Sequence, residues 1–170
     1  TVGAAQTHSI AADDGWTVGG GQTVKIAKDQ GVTIGGGHTE GIGKELARQL
    51  RDKSASIIAH GRNPERIAET KAEGFEVIAA DLSNVDGVKK LLNAVEGREI
   101  DILINNAGAG TPHDFREGPP DSAHNDAILY LSLAAPIRII AALVPMLRTR
   151  PEAMIVNVTS GLAIAPRAGG

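Results

Sequence analysis

Apolar positions along the chain alternate between short continuous runs and longer stretches with helical spacing. A β-branched run, Val32-Thr33-Ile34, leads into a glycine-dense stretch from Gly35 to Gly43 and then a helix-like segment, Lys44 to Leu50. Ser56-Ile57-Ile58-Ala59 reads as a second short strand. Asn63 ahead of Pro64 predicts a capped helix over 64–73, because asparagine accepts from first-turn N–H groups and proline has none to lose there. Phe75 to Ala80 reads as a third strand. Val88, Leu91, Leu92 and Val95 share one face and predict a helix over 85–95. Ile100 to Ile104 is a fourth strand, a long apolar helix follows at 124–148, and Met154 to Val158 is a fifth.

The βαβαβαβαβ order predicts an α/β fold. It is a doubly wound, Rossmann-like parallel sheet of about five strands, with helices on both faces in three α/β/α layers and right-handed crossovers. Residues 1–23 are rich in Gly, Ala, Thr and Asp without periodicity and read as a loose arm; 24–170 reads as one domain, incomplete at its C-terminus. The arm contains a near-repeat: Asp13 to Thr23 resembles Asp29 to Thr39, with Lys25 and Ala27 standing where the second copy has Gly41 and Gly43. Coincidence and a short duplication both account for it.

Composition narrows the class. A chain of 170 residues is long enough for one domain that buries roughly 68–70% of its unfolded surface. Aromatics are only 2% of the residues, so the core is built from Ile, Leu, Val and Ala, as suits a parallel sheet. The net charge of −3 and scattered cations leave no footprint for nucleic acid. Absence of cysteine excludes disulfides and thiolate metal sites and fits the cytoplasm. The five histidines are scattered without ligand spacing and read as polar loop or surface residues, so no metal site is expected. Ala127 to Pro145 is apolar, but Arg138 near its centre would cost about 2.5–3.5 kcal/mol in a bilayer. The segment therefore reads as a helix buried in the domain or against another subunit, and not as a membrane span.

In such a sheet ligands bind outside the carboxyl ends of the strands. The glycine turn at the first strand end, followed by a helix N-terminus, offers backbone N–H groups and a favourable dipole to a phosphate. The second strand ends in His60-Gly61-Arg62, where an arginine suits a ribose 2′-phosphate; an exposed loop arginine is the alternative. Glu40, nearby, would oppose that phosphate. Asp81 at the third strand end could accept from an adenine amino group or cap the following helix. Asn105-Asn106-Ala107-Gly108 at the fourth offers amides and a closely approachable backbone, or an ordinary turn. The fifth ends in Asn157-Val158-Thr159-Ser160-Gly161, which carries a hydroxyl.

Together these residues resemble the short-chain dehydrogenase/reductase family from about residue 25 onward. Its Thr-Gly-x-x-x-Gly-x-Gly signature is matched by Gly37, Gly41, Ile42 and Gly43, with Gly36 in place of the threonine. Its Asn-Asn-Ala-Gly motif is complete at 105–108, its adenine-contacting Asp corresponds to Asp81, and its catalytic Ser corresponds to Ser160. The resemblance implies cofactor contacts from Gly37, Thr39, Gly41, Ile42 and Gly43 at the first strand end. Further along, it implies contacts from Arg62, Asp81 and Leu82, then Asn105, Ala107 and Gly108. It implies NADP(H), which Arg62 favours, or NAD(H), and hydride exchange with a small alcohol or carbonyl substrate. A homo-oligomer through the apolar helix at 124–148 is expected.

The departures from the pattern are specific. The family's Tyr-x-x-x-Lys pair does not occur in these 170 residues, and Tyr130, the one tyrosine, lies upstream of Ser160. Ser132 stands where the family has an auxiliary Asn. The sequence therefore reads as a fragment with little expected turnover, or alternatively as a non-catalytic dinucleotide-binding or subunit-pairing module. Sugar-nucleotide epimerases are a third option, although their glycine spacing, Gly-x-x-Gly-x-x-Gly, differs.

Overall fold

A computed structural model describes residues 31–34, 40–110, 115–119 and 121–160. The expected N-terminal arm, its near-repeat, and Gly37 and Thr39 lie outside the described residues. Strand β1 (Gly31–Ile34) is followed by α1 (Glu40–Asp52), β2 (Ile57–Gly61), α2 (Pro64–Ala72), β3 (Glu76–Ala79), α3 (Val85–Val95) and β4 (Ile102–Asn105). Then come α4 (Ser122–Leu129), a π-helical turn (Tyr130–Ala134), α5 (Ala135–Leu147) and β5 (Met154–Asn157).

All four strand pairings are parallel, in the order β3-β2-β1-β4-β5. The chain moves outward in one direction from β1 and then returns to its other side. That reversal leaves a crevice above β1 and β4, the topological switch point of a doubly wound sheet. The expected architecture and strand set are met, with boundaries shifted by one or two residues.

Helix ends follow the local chemistry. Asn63 Oδ1 accepts from Arg66 N at 3.1 Å, and Asn84 Oδ1 from Gly87 N at 2.9 Å. Both satisfy first-turn donors that have no partner within the helix. At the other ends, α1 and α2 close in the same way. Ala55 N donates to Leu50 O and Ser54 N to Arg51 O; Phe75 N donates to Thr70 O and Gly74 N to Lys71 O. These are Schellman closures, which place one residue in the left-handed region. Gly74 does so in α2 at φ +86°, whereas α1 uses Ser54 at φ 70°.

The sheet is covered on both sides. Ile58, Ile78 and Leu103 pack with α3 residues Val88, Leu91 and Val95 and with α5 residues Ala135, Ile139, Leu143 and Leu147. Ile57 and Phe75 pack with Ala47 and Ala55 from α1 and its exit turn. A charged clasp ties α1 to the end of α2: Arg48 donates to both Glu73 carboxylate oxygens at 2.9 and 3.0 Å, and Lys44 Nζ lies 2.7 Å from Oε1. These cations hold the Glu73 carboxyl well below the usual range, at about 2, chiefly through the Arg48 and Lys44 hydrogen bonds.

The long helix departs from the expected unbroken 124–148. It runs Ser122–Leu147 and widens at Tyr130–Ala134, where Ala135 N–H reaches back to Tyr130 O. Pro136 explains the widening: it has no N–H for the Ser132 carbonyl, and its ring would collide with that carbonyl in a regular helix. By length and composition this helix could cross a membrane, but Leu131, Ala135, Ile139, Leu143 and Leu147 form a buried face against the domain core. Arg138, the interruption seen in the sequence, sits over the Tyr130 ring, 5.8 Å from its centroid.

Candidate functional site

The carboxyl ends of the five strands lie side by side. With strands about 4.8 Å apart, four gaps span roughly 19 Å, room for an elongated ligand lying across the sheet. The site residues read from the sequence are distributed along this edge in the order of the sheet and not of the chain.

On β3, the outermost of the five strands on that side, Asp81 follows directly after Ala80. Its Oδ1 accepts from Ser83 N at 3.1 Å, which fixes the carboxylate above the strand end. The alternative role of helix cap belongs instead to Asn84. Leu82 is 2% exposed with its side chain in the core, so only its backbone can meet a ligand. Behind Asp81 stands Gly87 in the first turn of α3, where any Cβ would overlap the Asp81 carbonyl. This glycine brings the α3 N-terminus directly against the Asp81 backbone.

On β2, Arg62 follows the last strand residue and is half exposed, with Nη1 3.8 Å from Asp81 Oδ1. His60, two residues earlier, corrects the expectation of a surface histidine. It is buried in β2, and its Nε2–H donates to Ala80 O at 2.7 Å. This bond links the ends of β2 and β3 beneath Arg62 and Asp81. A small cleft of about 100 Å³ opens here between α1 and α2, touching Lys44, His60, Arg62 and Arg66. It is too small for a nucleotide, whose sites usually run to about 300 Å³ or more.

Above β1 the first turn of α1 carries Gly41, Ile42 and Gly43. The helix starts at Glu40, earlier than the sequence pattern indicated, so both glycines lie in its N-terminal turn. Ile42 is exposed and Gly43 buried. A Cβ added at Gly41 would meet no described atom within 4 Å, and the same holds at Gly108. Among the described residues, space is open above both.

On β4, Asn105 is buried at the strand's last position and donates through Nδ2 to Asn157 Oδ1 of β5 at 2.8 Å. Its carbonyl accepts from Val158 N at 2.9 Å, which continues the β4–β5 pairing past the strand proper. Asn106 is buried as well, at 1% exposure. Ala107 and Gly108 follow as a half-exposed backbone segment, and Ser160, three residues past β5, is exposed.

One guanidinium, one carboxylate, two buried amides, a hydroxyl and a helix N-terminus with space over its glycine among the described residues form a set of donors and acceptors that fits a dinucleotide. His60 and Asn157 were placed at strand ends from sequence but given no role in this edge, and Gly87 was not identified as part of it. A second cavity of about 530 Å³ lies between α3 and α5 at the opposite, amino ends of the strands. Its cations are committed to carboxylates: Arg150 Nε to Asp101 at 2.7 Å and Nη1 to Glu99 at 2.8 Å, and Arg98 Nη2 to Glu76 at 2.9 Å.

Residues 32–170 match the sequence profile of the family described as short chain dehydrogenase. The uncharacterized oxidoreductase DltE of Bacillus subtilis is 34% identical over 130 residues, covering 74% of this chain and 52% of that protein. Serine 3-dehydrogenase of Agrobacterium fabrum is 32% identical over 136 residues, covering 75% of this chain and 53% of that one. The chain thus spans about half the length of these curated relatives. Among solved structures, L-sorbose reductase from Gluconobacter frateurii complexed with NADPH and L-sorbose superposes with a TM-score of 0.68 at 25% identity. That superposition covers 84% of this chain and 57% of the reductase. The family binds NAD(P)(H) and acts on small-molecule substrates.

Proposed function

Because the chain belongs to the short-chain dehydrogenase family, we propose that it is the cofactor-binding part of an NAD(P)(H)-dependent oxidoreductase acting on an alcohol or carbonyl compound. The observation that carries this reading is the strand order β3-β2-β1-β4-β5, which lines up Arg62, Asp81, Asn105 and Ser160 along one sheet edge. Bound nicotinamide would donate or accept the hydride.

The chain's own residues bind and orient. Gly41 and Gly43, with Ile42 between them and Gly37 and Thr39 before them in sequence, offer the helix N-terminus to the pyrophosphate. Arg62 meets a ribose 2′-phosphate, which favours NADP(H) over NAD(H). Asp81 accepts from the adenine amino group, with the Leu82 backbone beside it. Asn105, Ala107 and Gly108 present amide and backbone groups to the second ribose. Ser160 donates to the oxygen of the reacting carbonyl. Fluorescence titration with NADPH and NADH tests the reading: binding of either in the micromolar range supports it, and no binding of either below millimolar concentration overturns it.

A second reading, a dinucleotide-binding or subunit-pairing module without turnover, draws on Tyr130. Its hydroxyl is buried within the helical layer, away from any role as general acid. Subunit pairing is supported by Leu129, Leu133 and Ile137, which are about 60% exposed and four residues apart along the helix. This stripe suits a homo-oligomeric contact through 124–148. Light scattering of wild type and Leu133→Glu tests it: pairing predicts a wild-type dimer or larger and a smaller variant. We further place residues 24–170 in one dinucleotide-binding unit and the protein in the cytoplasm, in keeping with the absence of cysteine.

A further inference from the structure

Arg62 and Asp81 have opposite relations to the group that distinguishes the two nicotinamide cofactors. A 2′-phosphate is attracted by the guanidinium and repelled by the carboxylate, whereas a 2′-hydroxyl is neutral. The two side chains also face each other, with Nη1 and Oδ1 3.8 Å apart. The carboxylate is the anchored member. It accepts from Ser83 N, its backbone is packed against Gly87, and the preceding carbonyl is held by His60. The guanidinium stands at the end of a flexible side chain that is 53% exposed.

From this geometry we infer that Asp81 is a specificity-determining residue: by holding Arg62 it limits the preference for NADP(H) over NAD(H). Arg62 has two competing partners, the Asp81 carboxylate and the 2′-phosphate. Taking up the second weakens the first, so part of the phosphate's attraction is spent in separating the pair. An exposed ion pair of this kind shifts an equilibrium by about 1.4- to 5-fold, and it is weakened by salt. The inference rests on the cofactor reading above and assigns Asp81 an effect on selectivity apart from any contact with adenine.

The test uses 2′,5′-ADP and 5′-AMP as probes, titrated calorimetrically into wild type, Asp81→Asn, Arg62→Ala and the double variant. Asp81→Asn keeps an acceptor for Ser83 N while removing the charge, and Asp81→Ser repeats the removal with a different side chain. The expected result is that the 2′,5′-ADP to 5′-AMP affinity ratio rises about 2- to 5-fold in both Asp81 variants at low salt. That gain shrinks in 0.5 M salt (about a 4 Å screening length) and in the Arg62→Ala background. An unchanged or lower ratio, with both probes still bound, overturns the role of Asp81 and leaves the cofactor site standing. A gain of equal size with Arg62 removed also overturns it, since the carboxylate then acts without the pair. Failure of wild type to bind either probe overturns this inference and the cofactor reading together.

Discussion

Asn105 Nδ2 donates to Asn157 Oδ1 across 2.8 Å, between two residues that face each other in the β4–β5 register. Asn105 is buried, whereas Asn157 is exposed, so the inner amide depends on the outer one. Asn157→Ala removes the acceptor and is expected to cost about 1–3 kcal/mol, the penalty for leaving a buried donor without a partner. Urea unfolding measures the loss. A double-mutant cycle with Asn105→Ala should show the two substitutions to be non-additive, because each removes the same bond.

Gly87→Ala should destabilise the domain by about 1–3 kcal/mol or more, as overpacking of a tight contact does. The added methyl group has no flexible neighbour to displace, since the atoms it meets belong to the Asp81 backbone. Thermal unfolding is the check. An alanine tolerated without loss would contradict the close approach of α3 to the end of β3.

Ser54→Gly should stabilise the domain by up to about 1 kcal/mol, the usual order of the left-handed penalty for a residue with a Cβ. The two Schellman turns provide the comparison: α2 already has Gly74 at the equivalent position. Chemical denaturation midpoints of wild type and variant measure the difference, and the reverse change, Gly74→Ser, should lower the midpoint.

Glu73 makes acid stability depend on the clasp between α1 and α2. Its carboxyl titrates near 2 in the folded chain and close to the ordinary carboxylate value when unfolded. The contribution is therefore fully present above about pH 4.3 and is lost as pH falls toward 2. Glu73→Gln removes that dependence. The variant should unfold at a lower temperature than wild type at neutral pH, and the gap between the two should narrow progressively as the solution is acidified through this window.

Much of this arrangement was legible in the sequence because strands β2 to β5 are short apolar runs bounded by turn residues. In a parallel sheet their last residues must share one edge, so Arg62, Asp81, Asn105 and Ser160 could be placed without coordinates. What escaped depends on contacts between elements. His60 is polar but buried, and its bond to the carbonyl of Ala80, just past the next strand, helps make that burial acceptable. Gly87 reads in sequence as a weak helix residue, and its value appears only where α3 meets Asp81. Asn157 gains its partner from strand register, which no local pattern states. The early start of α1 at Glu40 was hidden by the glycines, whose low helix propensity argues against the turn that they occupy.

The π turn at Tyr130–Ala134 can be regarded as an insertion of one residue that the helix has absorbed without breaking. Winding this turn as a regular α-helix with all its residues kept would restore ordinary backbone pairing, but at the cost of turning Ser122–Leu129 by about 100° around the helix axis. Leu129 would then leave the line that it forms with Leu133 and Ile137, and the exposed apolar stripe would be cut in two. The length of this one turn therefore sets the phase between the two halves of the helix, and with it which side chains the molecule offers to a neighbour.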